Sequence, residues 1–177
     1  MRLTVVRSGD LAGDEVARLR ALLDEAFDGD FSEADWAHCL GGVHVLAWAG
    51  ELVGHGALVE RRLLHREREW RVGYVEGLAV AAQSRRHGVG ASMMAELERR
   101  LDLSFDFGAL SASDVAAAMY ERRGWRRWRG PTWVLAPSGR VRTAEEDGGV
   151  FVWATTSGPS LDLDGALCCD WREGDVW

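Results

Sequence analysis

Glu76 is the only charged residue in an otherwise apolar run from Val72 to Val80. A carboxylate in such a strand is costly unless it is paired or hydrogen-bonded. Two readings fit: a structural ion pair with a nearby arginine, or a general base. As a base it would act through water on a substrate ammonium, its pKa raised by burial toward the working range. Directly after it comes Leu78-Ala79-Val80-Ala81-Ala82-Gln83-Ser84-Arg85-Arg86-His87-Gly88-Val89-Gly90-Ala91. Here a strand feeds a loop whose glycines let the backbone pass close to a ligand, and a helix begins at once. Unpaired N–H groups at that helix start, with its positive dipole end, suit a phosphate. The loop is not a P-loop, since no Gly-Lys-Ser/Thr follows, and it lacks the three-glycine dinucleotide spacing.

Other reactive side chains are scattered more widely. Ser111 closes the run Phe107–Ala112 and reads equally as a hydrogen-bond partner for substrate or as a turn residue before a helix. Tyr120 lies on an alanine-rich helix, a usual place for a core aromatic whose hydroxyl is satisfied. His87 is the only histidine near the proposed chemistry. His38, His44, His55 and His65 show no metal-ligand spacing, so all five read as structural or exposed, and no metal is expected. Cys39, Cys168 and Cys169 form an odd set without spaced pairs and read as small buried hydrophobes or a free thiol.

The elements that must position these residues follow from periodicity. Val16, Leu19, Leu22, Leu23 and Ala26 fall at helical spacing, with Asp14 and Glu15 in the first turn and Gly29 just past the end. Ser32 reads as an N-cap with Asp35 in the capping-box place, and that second helix is expected to stop at Gly41-Gly42. Val43–Trp48, Leu52–Leu64 and Trp70–Val80 are extended runs separated by Ala49-Gly50-Glu51 and His65-Arg66-Glu67-Arg68, an antiparallel meander. Then come a helix from Gly88-Val89-Gly90 to about Leu101, with Val89, Met93, Met94, Leu97 and Leu101 on one side, and a buried strand at Phe107–Ala112. A helix capped by Ser113 runs to Arg123, ended by Gly124, and short strands follow near Trp133–Ala136 and Phe151–Ala154. The remaining acidic end reads as irregular.

Composition sets the class. The chain has 177 residues, 47% hydrophobic, with nine tryptophans and three prolines. That excludes general disorder and suits one α+β domain. The longest uncharged stretch, Trp36–Gly50, is too short for a membrane span, and Arg7 and Asp10 interrupt the start before a signal-peptide core forms. A soluble, cytoplasmic protein is expected. The net charge of −7 is uneven: residues 143–177 hold eight acids against Arg172 alone, while residues 1–142 balance. Asp24, Glu25, Asp28, Asp30, Glu33 and Asp35 form a second acidic run. An acidic concavity attracts a cationic ligand, and Trp153, Trp171 and Trp177 argue that the acidic end is held down by packed aromatics. The arginines of 122–129, interleaved with Trp125 and Trp128, could suggest nucleic acid, but a net-acidic chain argues against it.

With these residues in place a resemblance is visible. Arg85-x-x-Gly88-x-Gly90 after Gly77-Leu78-Ala79-Val80 is similar to the acyl-CoA pyrophosphate loop of the GCN5-related (GNAT) N-acetyltransferases. A closer resemblance, to the aminoglycoside 2′-N-acetyltransferases, rests on Asp30-Phe31-x-Glu33-x-Asp35-Trp36, Gly73-Tyr74-Val75-Glu76-Gly77, Gly108-Ala109-Leu110-Ser111, Arg123-Gly124-Trp125 and Cys169-Asp170-Trp171-Arg172-x-Gly174-Asp175-Val176-Trp177. The resemblance implies the GNAT fold: a mixed, mostly antiparallel central sheet flanked by helices. It implies one domain over 1–177, with 143–177 an acidic, tryptophan-rich extension completing the substrate site. Acetyl-CoA would bind Leu78, Ala79, Val80, Arg85, Arg86, His87, Gly88, Val89 and Gly90.

Glu76 would be the base, and Tyr120 would return a proton to the departing thiolate. A small polycationic aminosugar would meet Asp30, Asp35, Glu76, Gly77, Ser111, Glu145, Glu146, Asp175 and the terminal carboxylate of Trp177. Glu146 stands where the resemblance leads one to expect aspartate, keeping the charge on a longer arm. Transfer would be direct, in a ternary complex, since no Cys/His nucleophile pair is present. The alternatives are the same fold acetylating a polyamine, a peptide or another metabolite, and a non-catalytic CoA- or amine-binding module. A homodimer is a further implication of the resemblance.

Overall fold

The computed structural model describes all residues, Met1–Trp177. The chain forms two compact units: Met1–Val59 with Val75–Arg99, and Glu60–Tyr74 with Arg100–Trp177.

In the first unit, β1 (Arg2–Arg7) lies antiparallel to β2 (Val43–Ala49), with Arg2 opposite Trp48 and Arg7 opposite Val43. β2 turns through Gly50, whose φ of +87° suits glycine, into β3 (Glu51–His65), and pairs from Val43↔Leu58 to Ala49↔Glu51 with a bulge after Ala47. The last residues of β4 (Arg68–Val80) also belong here. Of the helices, α1 (Gly13–Ala26) buries Leu19, Leu22 and Leu23, and α2 (Glu33–His38) is a short one. α3 (Val89–Ser104) begins here and sinks Val89, Met93, Met94 and Leu97 into the core. Its seat on β3 is cut by glycines. A Cβ on Gly54 would stand 2.6 Å from Met93 Sδ, and one on Gly56 would stand 2.9 Å from Leu78 Cδ1.

In the second unit the start of β4 runs parallel to β5 (Phe107–Ser111), which pairs with β9 (Val150–Ala154), which in turn carries the two-residue β6 (Arg126–Arg127). The end of β3 pairs antiparallel with β10 (Leu167–Asp170). β10 lies parallel to β7 (Thr132–Ala136), and β7 forms a hairpin with β8 (Gly139–Arg142). The turn from β3 to β4 places Arg66 and Glu67 both at positive φ, the twist a two-residue hairpin requires. α4 (Asp114–Arg122) follows β5.

The structure changes four sequence expectations. β1 was not anticipated. α2 ends at His38 rather than at Gly41-Gly42, because the chain must straighten into β2: a side chain at Gly42 would strike the Leu58 carbonyl. Ser113 stands at the N-cap of α4, but its side chain makes no cap hydrogen bond. The acidic end is not irregular throughout, since Leu167, Cys168 and Cys169 are buried in β10 between β3 and β7. No helix is long and apolar enough to cross a membrane.

Candidate active site

In the first unit, the site residues line the end of β4 and the start of α3. Glu76, Gly77 and Leu78 are half-buried and Ala79 is buried. Gly77 has φ +53°, a left-handed kink within a strand, and its backbone passes so near Cys39 that a Cβ would sit 2.8 Å from the Sγ. A side chain there would meet both steric and conformational strain.

Past Val80 the chain makes a 3-10 turn, Ala82–Ser84. Arg86 (φ +62°) and Gly88 (φ +80°) then reverse the path into α3. A Cβ on Gly88 would project into open space, and the Gly88 carbonyl accepts from Ser92 N (3.0 Å) and Ser92 Oγ (3.1 Å). The first N–H groups of α3, on Val89 and Gly90, have no acceptor within the helix. These features fit a pyrophosphate laid against bare backbone at a dipole's positive end. Arg85 donates Nε–H to the Val80 carbonyl at 3.0 Å, tethering loop to strand, and Arg85, Arg86 and His87 are all exposed.

The two N-terminal acids differ. Asp30 is exposed. Asp35 is occupied: its Oδ2 accepts from Ser32 N at 2.8 Å and Ser32 Oγ at 2.7 Å, and its own N–H donates to Ser32 Oγ. This is the expected capping box, and it holds α2 rather than leaving that oxygen open to a ligand.

In the second unit, the acidic residues sort themselves by partner. Asp147 is paired with Arg142 and accepts from Thr132 N at 3.0 Å, which holds its carboxyl down at about 2. Asp162 pairs with Arg66, Asp164 with Arg129, and Asp170 with the buried Arg61. Glu145, Glu146 and Asp175 make no ion pair. Ser111, at the end of β5, donates its hydroxyl to Glu146 Oε2 at 3.3 Å. Burial, then the neighbouring Asp175 charge and more weakly Glu145, raise the Glu146 pKa against that hydrogen bond. Three of the acids that the resemblance implies for substrate binding thus lie near one another, none of them in an ion pair.

The segment carrying Asp175 is pinned. Arg172 donates Nε–H to the Asp175 carbonyl (2.7 Å) and Nη2–H to the Trp177 O (2.8 Å), and its guanidinium lies 5.6 Å from the Tyr74 ring. Trp177 is 2% exposed and donates Nε1–H to Thr143 Oγ1 at 2.9 Å. Trp171 is 50% exposed and does not anchor the segment, contrary to expectation. Its place is taken by Arg172 and Thr143, which the sequence reading passed over; the lone base among eight acids was the signal for Arg172.

Tyr120 lies on α4 at 6% exposure, near Phe151 (5.9 Å between centroids) and Trp125 (6.1 Å). Burial pushes its phenol up to about 12, so it carries its proton at neutral pH. Of the arginine-rich run, Arg127 pairs with Asp114 and Arg129 with Asp164, while Trp125 and Trp128 are buried.

A bare-backbone loop feeding a helix N-terminus thus follows a β4 strand that is kinked beside a carboxylate. The chain matches the Acetyltransferase (GNAT) domain family over residues 10–128 and belongs to that family. It is 46% identical over 176 residues to an aminoglycoside 2′-N-acetyltransferase of Mycolicibacterium fortuitum, covering 98% of this chain and 90% of that one. In fold it is similar to an acyl-CoA N-acyltransferase from Pseudomonas aeruginosa (TM-score 0.63, 18% identity, 86% of this chain and 99% of that one). It is also similar to a GNAT family acetyltransferase from Brucella melitensis in complex with acetyl-CoA (TM-score 0.60, 15% identity, 94% of each chain).

Proposed function

We propose that the protein transfers the acetyl group of acetyl-CoA to the 2′-amino group of an aminoglycoside, in a ternary complex without an acetyl-enzyme. What carries the substrate assignment is the near-full-length identity to the M. fortuitum enzyme. The un-neutralised cluster Glu145, Glu146 and Asp175 supports it physically, since a polyammonium sugar supplies the missing charge. In this reading residues 1–177 act as one domain and 143–177 complete the substrate site.

The roles follow from the residue chemistry. Acetyl-CoA lays its pyrophosphate on Gly88, Val89 and Gly90, with Arg85, Arg86 and His87 nearby. Glu76 takes a proton from the substrate ammonium through water, and the freed amine attacks the thioester carbonyl. Main-chain N–H near Leu78 holds the tetrahedral oxyanion. The C–S bond then breaks, Tyr120, protonated at neutral pH, gives its proton to the thiolate, and the proton that the new amide nitrogen sheds restores the phenol through solvent. Asp30, Gly77, Ser111 and the terminal carboxylate of Trp177 complete the substrate contacts, with Asp35 contributing only through Oδ1, since its Oδ2 is engaged by Ser32. CoA release measured over a panel of aminoglycosides, linear polyamines and peptides tests the reading. Aminoglycosides should show the highest kcat/KM, and a polyamine or peptide that surpasses them would replace the assignment.

A further inference from the structure

Two histidines that the proposed function leaves unused form a continuous chain to Gly77. In the first unit Ser8 Oγ lies 2.9 Å from His44 Nε2, His44 Nδ1 lies 2.8 Å from His55 Nε2, and His55 Nδ1 lies 2.8 Å from the Gly77 carbonyl. Both rings are fully buried, with centroids 5.1 Å apart. Gly42 N donates to Ser8 Oγ at 3.2 Å.

The direction of every bond in this chain is forced. A carbonyl only accepts, so His55 Nδ1 carries hydrogen and, in the neutral ring, His55 Nε2 is bare. His44 must therefore donate from Nδ1, leaving its Nε2 as an acceptor for the Ser8 hydroxyl proton at 2.9 Å, closer than the competing Gly42 carbonyl at 3.3 Å, while Ser8 Oγ accepts from Gly42 N. One tautomer of each neutral ring satisfies all of these bonds together. Burial keeps the rings neutral, pushing His44 down to about 4 and His55 to about 3.

The chain ends on Gly77, a β4 residue in a left-handed conformation. Gly77 is kinked at φ +53° against Cys39 Sγ and the His55 ring, directly between Glu76 and Leu78. The Gly77 carbonyl is half-buried, and His55 Nδ1–H supplies it with a donor beside the kink. We propose that Ser8, His44 and His55 are positioning residues, a proton-ordered relay that clamps the Gly77 carbonyl and so fixes the main-chain direction of Glu76 and Leu78. The inference rests on the reading of Glu76 as the base.

Two experiments on the intact protein test it. Imidazole nitrogen NMR at pH 7 should find both rings neutral, Nδ1 protonated and Nε2 bare. A protonated Nε2 on either ring overturns the relay, whatever Glu76 does. In kinetics, His55→Leu should lower kcat at least tenfold, with the amine KM and acetyl-CoA Kd within twofold of wild type. His55→Asn keeps an N–H donor near the Nδ1 position and should recover most of the loss; His44→Asn should likewise outperform His44→Leu. Combined with Glu76→Gln, His55→Leu should cost no further kcat beyond twofold. Wild-type kcat in a folded His55→Leu, or a His55→Asn no better than His55→Leu, overturns the relay. If His55→Leu does not fold, the His44 pair and the tautomer decide the matter. Wild-type turnover of Glu76→Gln alone overturns the base reading instead.

Discussion

Glu76, half-buried in an apolar strand, is the proposed general base. Glu76→Gln keeps the shape and removes the proton acceptor, so kcat/KM should fall roughly 10²- to 10⁴-fold while acetyl-CoA affinity measured by calorimetry stays unchanged. Glu146 works differently. Its pKa is raised by burial and by Asp175, so an arriving ammonium favours its ionised form. The aminoglycoside KM should therefore fall as pH rises through the weakly acidic range, and Glu146→Gln should raise KM several-fold and abolish that dependence. Glu76, the loop glycines and the acids stand out in the sequence as candidates because each breaks a local pattern. His44 and His55 do not: they are 11 residues apart on separate strands, and their partner Gly77 lies a further 22 along. Only the pairing of β2 with β3, and the kink in β4, brings them together.

At the scale of elements, glycine decides where helix and strand meet. Gly42→Ala would push a Cβ into the Leu58 carbonyl, and because a backbone atom cannot swing aside it should cost roughly 1–3 kcal/mol, read as a lowered Tm. Gly88→Asp places a side chain and a negative charge where the pyrophosphate is proposed to sit, and should weaken acetyl-CoA binding more than amine binding.

The hairpin β7–β8 is tied to the turn Ala144–Glu146 by Asp147, whose carboxyl is held at about 2 by Arg142 and Thr132. A carboxyl depressed below its ordinary value of about 4 stabilises the fold when ionised. That contribution is full above about pH 4 and is lost as pH falls toward 2. Asp147→Asn should thus lower Tm at neutral pH, with the gap to wild type closing between pH 4 and 2. Helices α1 and α3 and strands β2, β3 and β4 were legible from strong periodicity. β10 was not, because Leu167-Cys168-Cys169 is too short a run to announce a strand and its partners are about 100 and 35 residues away.

Over the whole molecule, four of the eight acids of residues 143–177 pair with Arg61, Arg66, Arg129 and Arg142. What survives is the cluster Glu145, Glu146 and Asp175, and its field should steer a polycation. The aminoglycoside KM should rise with ionic strength, and Asp175→Asn should raise KM at low salt and flatten its salt dependence, while acetyl-CoA affinity changes little. An unchanged KM would mean that the cluster merely solvates the surface.

The most direct measurement compares an aminoglycoside bearing a 2′-amino group with its counterpart bearing a 2′-hydroxyl, following CoA release and mapping the product by NMR. One equivalent of CoA per sugar and a single acetamide at the 2′ position are expected, with the 2′-hydroxyl compound not turned over. Acetylation at another amine, or equal turnover of both compounds, would contradict the proposed transfer.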